Sequence, residues 1–319
     1  MKKIFITANL PGKVVEFLKK DFYVGVFTEE RPPTRDELLK GAKDAHALIT
    51  MLSDKVDRTL IDSCHNLRVV SNCAVGTENI DIPYATKRGI FVTNTPDILT
   101  ETTADLAWAL VLSVSRRVLE GDSFVREGKF IGWRPTLLMG LNIYGKTVGI
   151  YGMGRIGTAV GRRARGFDMD VIYHNINRNE EAEKGIRARY VDFSTLLRES
   201  DFLVITAPLN EYSRGRFGVE EFRRMKRTSV IVNVGRGQII KEKELALALK
   251  QGIIWGAGLD VYEREPIIEE GLLNLKNVVL LPHLGSASQE TREKMAEMAV
   301  ENVMLGLSGK TPRNLVNPS

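Results

Sequence analysis

The 319-residue sequence has only two cysteines, Cys64 and Cys73. So few thiols, with no CxxC spacing, argue against a disulfide scaffold or a structural zinc site and suit a reducing compartment. Long apolar runs are also missing. No stretch approaches the ~20 residues of a membrane-spanning helix. The apolar start after Met1-Lys2-Lys3 stops at Asn9, Pro11 and Gly12, too soon for a signal peptide. Strong charge of one sign is absent too: 45 Lys and Arg stand against 40 Asp and Glu, a net +5. Basic pairs such as Arg162-Arg163 and Arg223-Arg224 are short and lack interleaved aromatics, so nucleic acid is not an expected partner, nor is a membrane. What remains is a cytoplasmic globular protein whose mild positive field suits small anionic ligands.

Its length is about right for two cores. Short apolar runs alternate with helix-like stretches, first at Lys3–Thr7, Ala47–Thr50, Arg68–Asn72 and Ile90–Thr93. A long helix with apolar residues on several faces is predicted over Thr100–Ser115. The segment Phe124–Gly145, with Trp133, Pro135 and several glycines, has no clean period and reads as an extended arm. A second alternating series follows, with six strand candidates: Thr147–Tyr151, Asp170–His174, Phe202–Thr206, Ser229–Asn233, Gly256–Asp260 and Val278–Leu281. A final helix is predicted over Gln289–Gly306. Strands alternating with helices imply two parallel-sheet, doubly wound α/β domains.

The segment from Lys146 to Gly157 carries Gly152, Gly154 and Gly157 in G-x-G-x-x-G order, after a strand and at the head of a helix. That context points to a dinucleotide site. A tight turn needs Gly152, close backbone approach to a pyrophosphate needs Gly154, and helix-on-strand packing needs Gly157. A carboxylate about 20 residues on would hold the ribose 2′-OH of NAD. Here the second strand runs instead into His174-Asn175-Ile176-Asn177-Arg178, and the first acid is Glu180. Asn175 and Arg178 are then candidates for a 2′-phosphate, which favours NADPH over NADH. Arg178 as a solvated loop charge is the alternative.

In a parallel doubly wound sheet, ligands gather outside the carboxyl ends of the strands. That rule brings together Arg236, Asp260, Glu265 and His283. Of four histidines, His283 alone sits at a late strand end between proline and glycine. Three segments around these residues, Asn233-Val-Gly-Arg-Gly-Gln-Ile-Ile240, Gly258-Leu-Asp-Val-Tyr-Glu-Arg-Glu-Pro266 and Pro282-His-Leu-Gly-Ser-Ala287, resemble the signatures of the D-isomer-specific 2-hydroxyacid dehydrogenases. Cys73-Ala-Val-Gly-Thr-Glu-Asn-Ile-Asp81 and Thr93-Asn-Thr-Pro96 extend the likeness over essentially the whole chain.

The resemblance implies a Rossmann NAD(P)-binding domain, residues 100–286, inserted in a flavodoxin-like substrate domain, residues 1–99 and 287–319. It implies that Arg236 grips the substrate carboxylate and keto oxygen. His283 exchanges a proton with that oxygen, and Glu265 orients His283 and favours its imidazolium form. Leu52, Val75 and Gly76 become substrate contacts. Thr103, Arg155, Ile156, Ala207, Pro208, Val234, Asp260 and Gly285 join the glycines as cofactor contacts. Trp133 is read either as an arm residue reaching a homodimer partner or as local packing. No metal is implied.

The activity expected is reduction of small 2-keto acids, glyoxylate and hydroxypyruvate, with D-specificity for chiral products. Within the family, 2-ketogluconate reductase and 3-phosphoglycerate dehydrogenase are the alternatives. A nucleotide-sensing corepressor is the non-enzyme alternative.

Overall fold

The computed structural model describes residues 1–317. The chain forms two compact units: residues 1–99 with the segment from Ala287 onward, and residues 100–286. In the first, β1 (Lys3–Ile6), β2 (Tyr23–Val26), β3 (Ala47–Thr50), β4 (Val69–Asn72) and β5 (Phe91–Thr93) make a parallel sheet in the order β2-β1-β3-β4-β5. This is the flavodoxin-like order, with its switch point between β1 and β3. Tyr23–Val26 is an addition to the strands predicted above. It is a half-exposed edge strand, so it lacks the apolar run that marks its neighbours.

The second unit contains β6 (Thr147–Tyr151), β7 (Asp170–His174), β8 (Arg189–Tyr190), β9 (Phe202–Ile205), β10 (Val230–Asn233), β11 (Gly256–Leu259) and β12 (Val278–Leu280). All seven are parallel, in the order β12-β11-β10-β9-β6-β7-β8. The apolar runs mark six of them. The seventh, β8, is a two-residue edge strand. The order reverses between β6 and β9, which is the Rossmann switch point.

Strands buried on both faces explain the continuous apolar runs. Val148, Ile150, Phe202, Val204 and Val232 face one way, onto Ala104, Ala107, Leu110 and Val111 of the helix Thr100–Ser115. Leu203, Ile205, Ile231 and Leu259 face the other way and form a second core. The last helix, Gln289–Leu307, belongs to the first unit, where Ala296, Ala299, Val300 and Val303 pack against β3 and β4. The expected arm is partly helical: Val118–Arg126 is a helix, and no strand or helix follows until β6. No helix among the described residues is long and apolar enough to cross a membrane.

Phe202 is almost wholly buried, while Tyr23 at the edge of the first sheet is 64% exposed. Guanidinium unfolding should show Phe202→Ala destabilising its unit by about 3–5 kcal/mol, and Tyr23→Ala shifting stability by about 0.5 kcal/mol or less. Equal costs would contradict this assignment of the core.

Candidate active site

The turn after β6 is built by its glycines. Gly152 has φ +107°, and a Cβ there would lie 2.4 Å from the Ala207 nitrogen. A Cβ on Gly157 would lie 2.3 Å from the Gly152 oxygen, whereas at Gly154 it would meet nothing within 4 Å. The outer glycines therefore permit close packing, and the middle one leaves open space before the helix Arg155–Ala164. Thr206 Oγ1 donates to the Gly152 oxygen at 2.5 Å and ties the end of β9 to the turn. Val234 N donates to Ile205 O at 3.1 Å, in register with the same edge. A helix N-terminus facing open space at a switch point fits the pyrophosphate of a dinucleotide, with Arg155 and Ile156 opening the helix.

The loop after β7 is laced to this turn. Met153 N donates to Asn175 Oδ1 at 2.6 Å, and Asn179 Nδ2 donates to Met153 O at 2.8 Å. Arg178 donates from Nε and Nη2 to Glu183, at 3.0 and 2.6 Å, and its guanidinium lies 5.6 Å from the Tyr190 ring centre. Arg178 and Tyr173, both hydrogen-bonded to Glu183, hold that carboxyl below the usual range. Arg178, a 2′-phosphate candidate or a solvated loop charge in the sequence, is exposed and paired with Glu183. Asn175 likewise spends its side-chain oxygen on the glycine turn.

At the other strand ends, three turns converge. Asn233, fully buried, accepts from Gly235 N at 3.0 Å and donates to Arg236 O at 3.0 Å, which shapes the turn that presents Arg236. A Cβ on Gly237 would lie 1.8 Å from the Tyr262 carbonyl carbon, so only glycine lets the turns after β10 and β11 touch. Glu265 Oε2 lies 2.9 Å from His283 Nδ1. His283 itself has φ 55°, a left-handed conformation uncommon for a residue with a Cβ. Asp260 holds that bend: its carboxylate accepts from Leu284 N at 2.6 Å and Gly285 N at 2.8 Å. Thr103 Oγ1 donates to Gly285 O at 3.1 Å. Both side chains are buried, so what the structure shows for Asp260 and Thr103 is support of the histidine turn.

Burial raises the Glu265 carboxyl, but the His283 hydrogen bond and charge, the Tyr262 amide and the Arg236 charge together outweigh it and leave the group below its ordinary value. Glu265 is therefore an anion through the range in which an imidazole titrates. A cation, an imidazole and a carboxylate held in this way can bind an anionic carbonyl compound and pass it a proton.

In the first unit, Leu52 and the Val75–Gly76 turn stand at the ends of β3 and β4. Their backbones are held by a polar network that the sequence did not reveal. Asn72 Nδ2 donates to Gly76 O at 2.7 Å, and Asn94 Nδ2 to Val75 O at 2.8 Å. Asn79 Nδ2 donates to Met51 O and Asp54 O at 3.0 and 2.9 Å, bracketing Leu52. Asp54, buried, accepts from Met51 N at 2.7 Å and from Thr7.

Residues 108–285 match the model of the NAD binding domain of D-isomer specific 2-hydroxyacid dehydrogenases. The chain belongs to this family. It is an oxidoreductase that uses a nicotinamide cofactor. It is 49% identical, over 99% of its length and 96% of the relative's, to a glyoxylate reductase of Thermococcus kodakarensis. Among solved structures it is similar to the TT0316 protein of Thermus thermophilus, with 39% identity, a TM-score of 0.93 and coverage of 98% and 99% of the two chains. An NADPH-dependent glyoxylate/hydroxypyruvate reductase from Sinorhizobium meliloti, solved with NADP and malonate, gives 32% identity, a TM-score of 0.85 and coverage of 99% and 96%.

One further support of this dehydrogenase site was not anticipated. Glu242 accepts from Glu263 N and, at 3.2 Å, from Glu269 N, clamping both ends of the loop that carries Glu265. At the head of the helix Glu242–Lys250 it reads in sequence as an ordinary dipole-matching acid. Its burial is the missing signal.

Cys73 opens the Val75–Gly76 turn, and burial pushes its thiol up to about 11. At pH 7.5 the thiolate fraction is then roughly 0.03%, against about 10% for an ordinary thiol of pKa ~8.5. Iodoacetamide labelling of Cys73, followed by mass spectrometry, should be slow at pH 7.5 and rise about tenfold per pH unit. Labelling at the rate of a free thiol at neutral pH would contradict that burial.

Proposed function

We propose that this dehydrogenase reduces glyoxylate and hydroxypyruvate to their 2-hydroxy acids, with D-specificity for the chiral product and with NADPH as the preferred donor. The observation that carries the reading is the His283–Glu265 hydrogen bond of 2.9 Å, with the Arg236 charge acting on the same carboxylate. The bound cofactor would supply hydride to the keto carbon. Arg236 binds the substrate's carboxylate and keto oxygen, because a guanidinium offers paired donors to paired oxygens. Protonated His283 gives its proton to the carbonyl oxygen as negative charge develops there, and takes it back in the reverse direction. Glu265 accepts from Nδ1, which fixes the tautomer and leaves Nε2 for the substrate.

In the first unit, the Val75 and Gly76 amides are assigned a share of the substrate carboxylate, with Leu52 as an apolar wall. A small keto acid buries little apolar area, so charged and amide contacts must supply most of its affinity. Gly152, Gly154, Arg155, Ile156 and Gly157 are assigned the pyrophosphate, and Thr103, Ala207, Pro208, Val234, Asp260 and Gly285 the surface around the remaining cofactor groups. The lack of an acid at the end of β7, and Asn175 and Arg178 in its place, support NADPH. Names and near-full-length coverage of the relatives favour glyoxylate and hydroxypyruvate over 2-ketogluconate, over 3-phosphoglycerate and over a corepressor role. The free thiols of Cys64 and Cys73 support the cytoplasmic setting.

A homodimer is part of this reading. Trp133 is 81% exposed and Ile131 88%, which supports the arm reading of the tryptophan over local packing. With Phe130, Met139 and Tyr144 also exposed, the arm carries an apolar surface suited to a second copy of the chain.

His283→Asn should lower kcat/KM for glyoxylate by about 10²–10⁴-fold while NADPH binding, followed by fluorescence quenching, stays near wild type. Loss of NADPH binding instead would make His283 structural. Light scattering should give a dimer for the wild type and monomer for Ile131→Asp/Trp133→Asp; a monomeric wild type would end the dimer reading.

A further inference from the structure

Glu183 faces the loop that follows β7, and nothing in the chemistry described so far requires it. Its carboxylate occupies the Nε–Nη2 edge of Arg178, the edge whose paired N–H groups match two oxygens of a phosphate. The two side chains differ in freedom. Arg178 is 57% exposed and Glu183 only 18%. Glu183 is pinned further by the Tyr173 hydroxyl, which donates to it at 2.6 Å. That hydroxyl accepts from Asn179 N at 2.8 Å, and the Asn179 side chain reaches Met153 O in the glycine turn. The carboxylate is thus built into the same hydrogen-bonded lattice as the turn, and cannot leave Arg178 without breaking it.

We propose that Glu183 is a specificity-determining residue that restrains the preference for a 2′-phosphorylated coenzyme. It does so by holding the binding edge of Arg178 and by placing a negative charge beside the position a 2′-phosphate would take. The inference rests on the reading that Arg178 faces the adenosine ribose. Two effects act in the same direction. A phosphate must share or displace a two-point, charge-assisted pair, and it meets like-charge repulsion from the carboxylate. A ribose without the phosphate meets neither, so a change at Glu183 acts selectively on phosphorylated nucleotides.

The test is calorimetric titration of the full chain with 2′,5′-ADP and with 5′-AMP, in the wild type and in Glu183→Gln. Glutamine keeps an acceptor for the Tyr173 hydroxyl and removes the charge. Binding of 2′,5′-ADP should tighten by about five- to tenfold, the scale of one released charge-assisted contact, with 5′-AMP affinity changing by less than about twofold, and the gain should vanish when Arg178→Gln is added. Unchanged or weaker 2′,5′-ADP binding in Glu183→Gln, an equal gain for 5′-AMP, or a gain that survives Arg178→Gln would each overturn the proposal. A wild type that binds the two nucleotides equally, but whose Glu183→Gln variant prefers 2′,5′-ADP, would sink the NADPH preference and uphold the role of Glu183.

Discussion

The hydrogen bond between Glu265 and His283 is the contact around which the second unit is arranged. Neither residue could reach it from an ordinary strand end. Glu265 sits on a loop clamped at both ends by the buried carboxylate of Glu242. His283 sits on a left-handed bend stitched by Asp260 and Thr103. Gly237 allows the turn bearing Arg236 to lie against Tyr262, within the electrostatic reach of Glu265. Buried polar groups here are spent on loop geometry, and the cost of burying them is met by full hydrogen bonding. The reactive side chains are thereby left half-exposed on a rigid frame.

The same division of labour recurs at the cofactor end and in the first unit. Around the glycine turn, Thr206, Asn175 and Asn179 fix the backbone while the helix N-terminus stays open. In the first unit, Asn72, Asn79, Asn94 and Asp54 hold the backbone on either side of Leu52 and the Val75–Gly76 turn. A substrate of a few heavy atoms offers little area to bury, so its recognition rests on donors held in place before it arrives. Side-chain amides suit that role, since each gives two donors and an acceptor, and none adds a charge that would compete with the substrate's own.

Much of this was legible from residue order alone. The glycine spacing, the apolar strands buried on both faces, and the strand-end positions of Arg236, Glu265 and His283 all follow from local pattern. The edge strands Tyr23–Val26 and Arg189–Tyr190 were not legible, because a half-exposed or two-residue strand carries no apolar run. Pairing was also hidden. Arg178 reads as a 2′-phosphate candidate or a solvated loop charge, and its pairing with Glu183, five residues on and across a helix start, is not visible in residue order. Asp260 reads as a cofactor contact, and the hold of both its oxygens on the Leu284 and Gly285 amides is not visible in residue order. Glu242 shows the same limit, since only its burial separates a loop clamp from a common first-turn acid.

The most direct test of the central claim is the pH dependence of kcat/KM for glyoxylate reduction in the wild type and in Glu265→Gln. Neutralising the carboxylate removes the charge that holds and orients the imidazole ring through Nδ1. The account predicts a lower kcat/KM for Glu265→Gln at every pH measured. An unchanged profile and rate would show that the carboxylate at 2.9 Å does not govern proton delivery by His283.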